Sequence, residues 1–245
     1  MKKVNILWTS GWDSTFRLMQ LLEKGEVKIQ PYYIIDENRA STDIEIKKMN
    51  EIINMSIEKW NHCKELILPI KYINKNKINE YSNIINSFNK LKKQSFIGSQ
   101  YEWLGCVSHD VKELELCIHE DDKAHAFIKD YVVQKGDIEG KFYTISEDAD
   151  EDVLNVFGNY KFPILDYTKL DMMKEAEEKN FKDIMMNTWF CHTPINGEAC
   201  GKCNPCIYTI EEGMKFRLSE KALKRYKNRN KILNKIKAKI KTLLK

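Results

Sequence analysis

The chain has 245 residues, a formal net charge of +4, 42% hydrophobic residues and a mean hydropathy of -0.53. That length suits one sizeable α/β domain with a small appendage, and that apolar content excludes a disordered chain. The sequence shows no long uncharged apolar run. Val4–Trp8 is also too short for a signal-peptide core, so no membrane span and a cytoplasmic location are expected.

Val4–Trp8 reads as a buried strand, and Ser14–Lys24 as a helix that stops at Gly25. Ile29–Ile35 reads as a second strand. Ile46, Met49, Ile53, Ile57 and Trp60 recur at helical spacing, which predicts a helix over Thr42–Trp60. Glu65–Pro69 reads as a short third strand. Strand and helix alternating in this way predict a parallel sheet with right-handed crossovers. Further on, Ile78–Lys93 reads as a helix, Gly98–Asp110 as a loop and helix, and Leu114–Ile118 as a fourth strand. Asp121–Val132 reads as a helix, Lys135–Ser146 as a hairpin or loop, and Phe162–Leu165 as a late strand. Thr168 is placed to cap a helix over Lys169–Lys179, with Asp171 in its positive first turn.

The junction Trp8-Thr9-Ser10-Gly11-Trp12-Asp13-Ser14-Thr15 ends a buried strand and opens a helix. Unpaired N–H groups at such a helix start, with about half a positive charge, suit phosphate. Gly11 permits close backbone approach, and Ser10, Ser14 and Thr15 offer hydroxyl donors. Asp13 caps the helix or meets a magnesium ion. Neither a Walker lysine nor a Gly-x-Gly-x-x-Gly motif is present.

Four of the seven cysteines crowd into Cys191–Cys206. Cys200, Cys203 and Cys206 lie on tight turns able to wrap one ion, and Cys191 supplies a fourth sulfur. The set fits a closed structural zinc site, with an iron–sulfur cluster as the rival. His192 reads as a neighbour of the site. Cys63, Cys106 and Cys117 are scattered and read as small core residues.

The loop resembles the Ser-Gly-Gly-x-Asp-Ser signature of the PP-loop ATP pyrophosphatases. Thr9, Ser10, Gly11, Asp13 and Ser14 take the motif positions, with Thr9 for the first Ser and Ser10 for the first Gly. The loop followed by Cys-x8-Cys-Gly-x-Cys-x-x-Cys resembles the 7-cyano-7-deazaguanine synthases, over Val4–Asp36 and Phe162–Gly213. The resemblance implies a Rossmann-like, doubly wound parallel sheet of the adenine nucleotide alpha hydrolase type. It places the nucleotide-binding domain at 1–187 and the zinc segment at 188–220, and charge alone sets off a basic tail at 221–245. It implies ATP, Mg2+ and Zn2+ as cofactors. ATP is split into AMP and pyrophosphate to activate a carboxylate, and ammonia then gives an amide and, after a second activation, a nitrile. Asp13 and Ser14 become the catalytic residues, and Trp8 to Thr15 with Ile35 and Asp36 the ATP site.

Two departures concern the substrate. Thr209 stands where those synthases carry Arg, and Gly98-Ser99-Gln100-Tyr101-Glu102-Trp103 replaces their purine-holding segment. Gln100, Tyr101, Glu102, Asp122 and Lys169 are the substrate-site candidates. Asp36 ends the second strand, where open sheets bind ligands, so it can reach the ribose or a metal, with a solvated turn acid as the alternative. His119–His125 reads either as a binding loop or as a helix start capped by Asp121.

The stretch from Lys221 to Lys245 holds 11 Lys or Arg and no acid, against 29 basic and 36 acidic residues before it. Ile232, Ile236, Ile240 and Leu243 fall on one helical face of that stretch, which suits RNA phosphates, an anionic membrane surface or a protein groove. Docking on the acidic body is the plain alternative, and a homodimer is admitted. Two rival functions stand beside the synthase-like one. One is an RNA-thiolating enzyme, which needs a reactive Cys outside the cluster. The other is a nucleotide-binding descendant without catalysis.

Overall fold

The computed structural model describes residues 1–229. The apolar face assigned to Ile232–Leu243 therefore lies outside the described residues. The chain runs β1 (Lys3–Leu7), α1 (Trp12–Lys24), β2 (Lys28–Ile35), α2 (Thr42–Lys59), α3 (Cys63–Leu66), β3 (Lys71–Asn74), α4 (Ser82–Gln94) and α5 (Gln100–Asp110). It continues with β4 (Leu114–Glu115), α6 (His125–Ile128), β5 (Val132–Asp137), β6 (Gly140–Ile145), α7 (Glu151–Phe157) and β7 (Tyr160–Lys161). The last named helices are α8 (Lys169–Glu178), α9 (Lys182–Met186) and α10 (Asn204–Thr209), and residues 220–229 are again helical.

Five strands form one sheet in the order β3-β2-β1-β4-β7, all parallel. Side chains alternate across a strand, so β1 feeds two cores. Val4 and Ile6 pack with α1, α2, α8 and α9 on one face, whereas Leu7 packs with α4, α5 and α7 on the other. The chain is thus an α/β protein with helices on both faces of a parallel sheet. The order winds outward from β1 through β2 to β3, then returns to β4 on the other side of β1. In open sheets such a reversal leaves a crevice outside the carboxyl ends of the flanking strands, here β1 and β4, where ligands bind.

Three expectations shift. The third strand is Lys71–Asn74, not Glu65–Pro69: Cys63–Leu66 forms a helical turn, and Ile67 alone bridges to Ile29. The helix expected over Asp121–Val132 shrinks to His125–Ile128, because the Asp122 carboxylate accepts from the Ala124 N–H at 2.8 Å and holds a turn instead. The late strand is Tyr160–Lys161, and Phe162 makes an antiparallel bridge to Tyr143 of the β5–β6 hairpin.

Elsewhere local chemistry fixes the boundaries. Gly25 ends α1 at φ 71, a left-handed conformation that glycine adopts without strain. Thr168 and Asp171 form a reciprocal capping box at the start of α8.

Candidate functional site

The site is built where β1 passes into α1. Gly11 is extended and caps α1 with no side-chain bond, so the first N–H groups of a 13-residue helix are left without a capping acceptor. Ser10, at the position of the motif's first glycine, takes φ 55, the left-handed region that glycine favours. Its carbonyl accepts from the Trp189 N–H at 2.9 Å, which ties the turn to the cysteine segment. A Cβ on Gly11 would stand 3.2 Å from Thr9 Oγ1.

The side chains of the turn divide. Trp8 and Thr15 are wholly buried and bonded to each other, indole Nε1 donating to Oγ1 at 2.9 Å, which uses the indole N–H and one acceptor site of the hydroxyl. The Ser10 hydroxyl and the Trp12 indole N–H are buried without any partner. Thr9 and Asp13 are part exposed, and Ser14 is nearly buried.

Asp13 sits at the switch point. Its Oδ1 lies 3.9 Å from His119 Nε2, which follows β4, and 3.9 Å from Lys169 Nζ, the first residue of α8. Lys169 also meets Glu212 at 2.6 Å. Burial works against the Lys169 charge, yet Asp13 and Glu212 outweigh it and hold its pKa above the ordinary lysine value. Arg217 lies against Trp12, 4.8 Å from guanidinium carbon to ring centroid. Helix start, Lys169, His119 and Arg217 thus gather around one acid. Sequence reading had singled out Asp13 and Lys169 but not Glu212 or Arg217, whose only local signal is the Gly213 that turns their segment.

Asp36 and Ile35 lie at the end of β2, both part exposed. The Asp36 carboxylate pairs with Lys75 at 2.8 Å and accepts from the Asn38 N–H; Lys75 holds its pKa below the usual carboxylate range. It is an occupied turn acid. Gln100 is exposed at the start of α5 and Glu102 half-buried. Tyr101 is buried against Phe157, with its hydroxyl 3.4 Å from Asp122. Asp122 caps its own turn. Lys169 therefore joins the Asp13 cluster, while Gln100, Tyr101, Glu102 and Asp122 make no hydrogen bond or ion pair with it.

The cysteine segment forms a second centre. The Sγ atoms of Cys191, Cys200, Cys203 and Cys206 all lie within 4.8 Å of one another. Neighbouring pairs stand 3.4 to 3.8 Å apart. Tetrahedral ligation at a metal–sulfur distance of about 2.3 Å needs an S–S edge of about 3.8 Å, so the set fits one ion. A multi-iron cluster would put its own atoms between the thiolates and spread them. Backbone N–H groups of Cys200, Lys202 and Cys203 donate to these sulfurs, which favours thiolates. His192 faces Arg39 instead, at 2.6 Å; burial and that guanidinium lower its pKa to about 4.

The knuckle is backed by the helix over 220–229. Arg225 donates to the Cys200 and Ala199 carbonyls, at 2.9 and 3.0 Å. Gly201 takes φ +71, and a Cβ there would stand 2.1 Å from the Ala222 carbonyl oxygen. Gly201→Ala is therefore expected to cost about 3 kcal/mol in urea denaturation, through backbone strain and a forced shift of that helix.

A groove of about 570 Å3 between α2 and α9 is lined by Glu51, Asn54, Met55, Glu58, Asp183, Met186 and Asn187. With no cation in its lining, it does not suit phosphate.

No protein-family model matches the chain, and no curated protein matches it. Fold and site together define an α/β protein with a five-stranded parallel sheet and, near its C-terminal end, a four-cysteine cluster able to hold a metal ion. No helix among the described residues is long and apolar enough to cross a membrane.

Proposed function

We propose that the protein binds ATP at the start of α1 and splits it into AMP and pyrophosphate to activate a carboxylate, in the manner of the 7-cyano-7-deazaguanine synthases. The observation that carries this proposal is the uncapped start of α1 beside Lys169, at the crevice where the strand order reverses. Phosphate oxygens satisfy the helix N–H groups, and Lys169 adds a cation. Asp13 would hold the magnesium, which would neutralise phosphate charge. The acyl oxygen bonds to the α-phosphorus, the bond from that phosphorus to the bridging oxygen breaks, and pyrophosphate leaves with the electron pair. Ammonia then displaces AMP. A deazapurine carboxylate is the substrate class named first, with Thr209 and the Gln100–Glu102 region as the places where its recognition differs. The ion at the four cysteines is zinc, since four thiolates closing on one ion leave no open position for chemistry.

Sulfur transfer fits less well. Burial pushes the Cys63 thiol up to about 11 and raises those of Cys106 and Cys117, so none of the three is a ready thiolate.

The test is pyrophosphate release from MgATP with ammonium and 7-carboxy-7-deazaguanine. Lys169→Met is expected to lower turnover about 100-fold, in the range lost with one charge-stabilising donor. ATP binding with no turnover on any carboxylate would instead mark a nucleotide-binding protein without catalysis.

A further inference from the structure

Arg217 has no role in the chemistry above, yet its setting is built. After α10 the helix kinks at Gly213, where φ is 85, and the chain turns back on itself. Glu212 thereby reaches Lys169, and Arg217 reaches α1. The Arg217 guanidinium carbon stands 4.8 Å from the ring centroid of Trp12 and 4.8 Å from that of Phe190. One terminal nitrogen donates to the Thr188 carbonyl at 2.7 Å and to its hydroxyl at 2.6 Å. Two aromatic faces and one anchored nitrogen fix the plane of the fork.

The opposite edge is free. Nε and the other terminal nitrogen have no hydrogen-bond acceptor among the described residues, and no carboxylate there lies within ion-pair distance of the group, Asp13 acting on it only from further away. Burial lowers its pKa to about 10, which still leaves it charged at neutral pH. A part-buried cation with an open edge is ready to meet an anion, and Asp13 is the acid that already supports its charge at longer range. Three polar atoms of the same turn, Ser10 Oγ, Trp12 Nε1 and Asp13 Oδ1, also have no hydrogen-bond partner; the first two, in residues 0% and 3% exposed, can serve an anion, and the third a cation bound with it. An arginine fork matches phosphate oxygens two at a time, and Trp12 is the first residue of the uncapped helix.

We propose that Arg217 clamps the pyrophosphoryl end of the nucleotide, its free edge binding β- and γ-phosphate oxygens and taking up the charge that pyrophosphate gains as it leaves. The proposal rests on the ATP site described above. An oxyanion could also come from the acyl substrate, so the probes must separate the two.

Titration calorimetry with inorganic pyrophosphate, AMP and benzoate, on the full chain, makes that separation. Arg217→Gln is expected to weaken pyrophosphate about 10- to 100-fold, the worth of charge-assisted bonds, and to leave AMP within about twofold. Arg217→Lys keeps the charge but neither fork nor stacking, and should fall between. Thr188→Val removes one anchor of the fork and should weaken pyrophosphate in the same sense, which covers the case in which Arg217→Gln fails to fold. Pyrophosphate binding unchanged in Arg217→Gln overturns the proposal while leaving the ATP site standing. Equal losses for pyrophosphate and AMP overturn it in favour of a structural arginine. A loss confined to benzoate assigns the edge to the acyl group and overturns it too. If the unaltered chain binds neither pyrophosphate nor MgATP, the ATP site itself fails, and the clamp with it.

Discussion

Stripping the metal with a strong chelator is expected to unfold the cysteine segment and the helix behind it while leaving the parallel sheet folded. Four thiols within 4.8 Å cannot all ionise without a cation among them. The segment's own core is small: Cys191, Cys200, Cys206, Ala199, Leu218 and Ala222 are buried, with Trp189, Phe190, Cys203, Ile210 and Leu223 part-buried against them. Structural zinc contributes about 10–16 kcal/mol in comparable small sites, more than such a core supplies. Hydrogen exchange should therefore show protection lost at the Cys200 and Cys203 amides and at the Trp189 amide bonded to Ser10. Cys203→Ser should lower metal content in the same direction. Protection unchanged after the metal has gone would mean that packing alone holds the segment.

The second large effect concerns the sheet. Arg17 and Glu115 form a two-pronged pair, at 2.8 and 2.7 Å, and both side chains are nearly inaccessible. Arg17 stands one turn below Asp13 on α1, and Glu115 lies on β4, so the pair pins the helix start over the crevice. Arg17→Met leaves a buried carboxylate without its partner and is expected to cost about 3–5 kcal/mol. Replacing both residues, as in Arg17→Met with Glu115→Leu, should recover most of that loss, because the isolated charge is the expensive species. Urea denaturation of the wild type, the single variant and the double variant decides it. A double variant no more stable than the single one would place the cost in lost packing.

The same pair marks what could be read from the sequence. Features whose cause lies within a few residues were legible: the first strand, the turn into α1, the stop at Gly25, the Thr168–Asp171 box and the close spacing of Cys200, Cys203 and Cys206. Features that need the sheet assembled were not. Glu115 is an acid inside an apolar run and gives no hint of Arg17, and Arg217 follows an unremarkable Phe216. His119 meets Asp13 only because β4 lies beside β1. The third strand was misplaced because Glu65–Pro69 and Lys71–Asn74 are both short and part apolar, and sheet pairing chooses between them. The cap that Asp122 makes on its own turn, through one oxygen to the Ala124 N–H, was likewise not legible.

The hydrogen bond from the Trp189 amide to the Ser10 carbonyl has a consequence in time as well as in space. Synthesis on the ribosome delivers the amino-terminal end first, so a nascent chain has Ser10 long before it has Trp189. During that interval the left-handed turn at Ser10 lacks the contact that holds it. An incomplete chain can thus build much of its sheet before this turn is held, and the turn gains its support only after translation has passed Trp189.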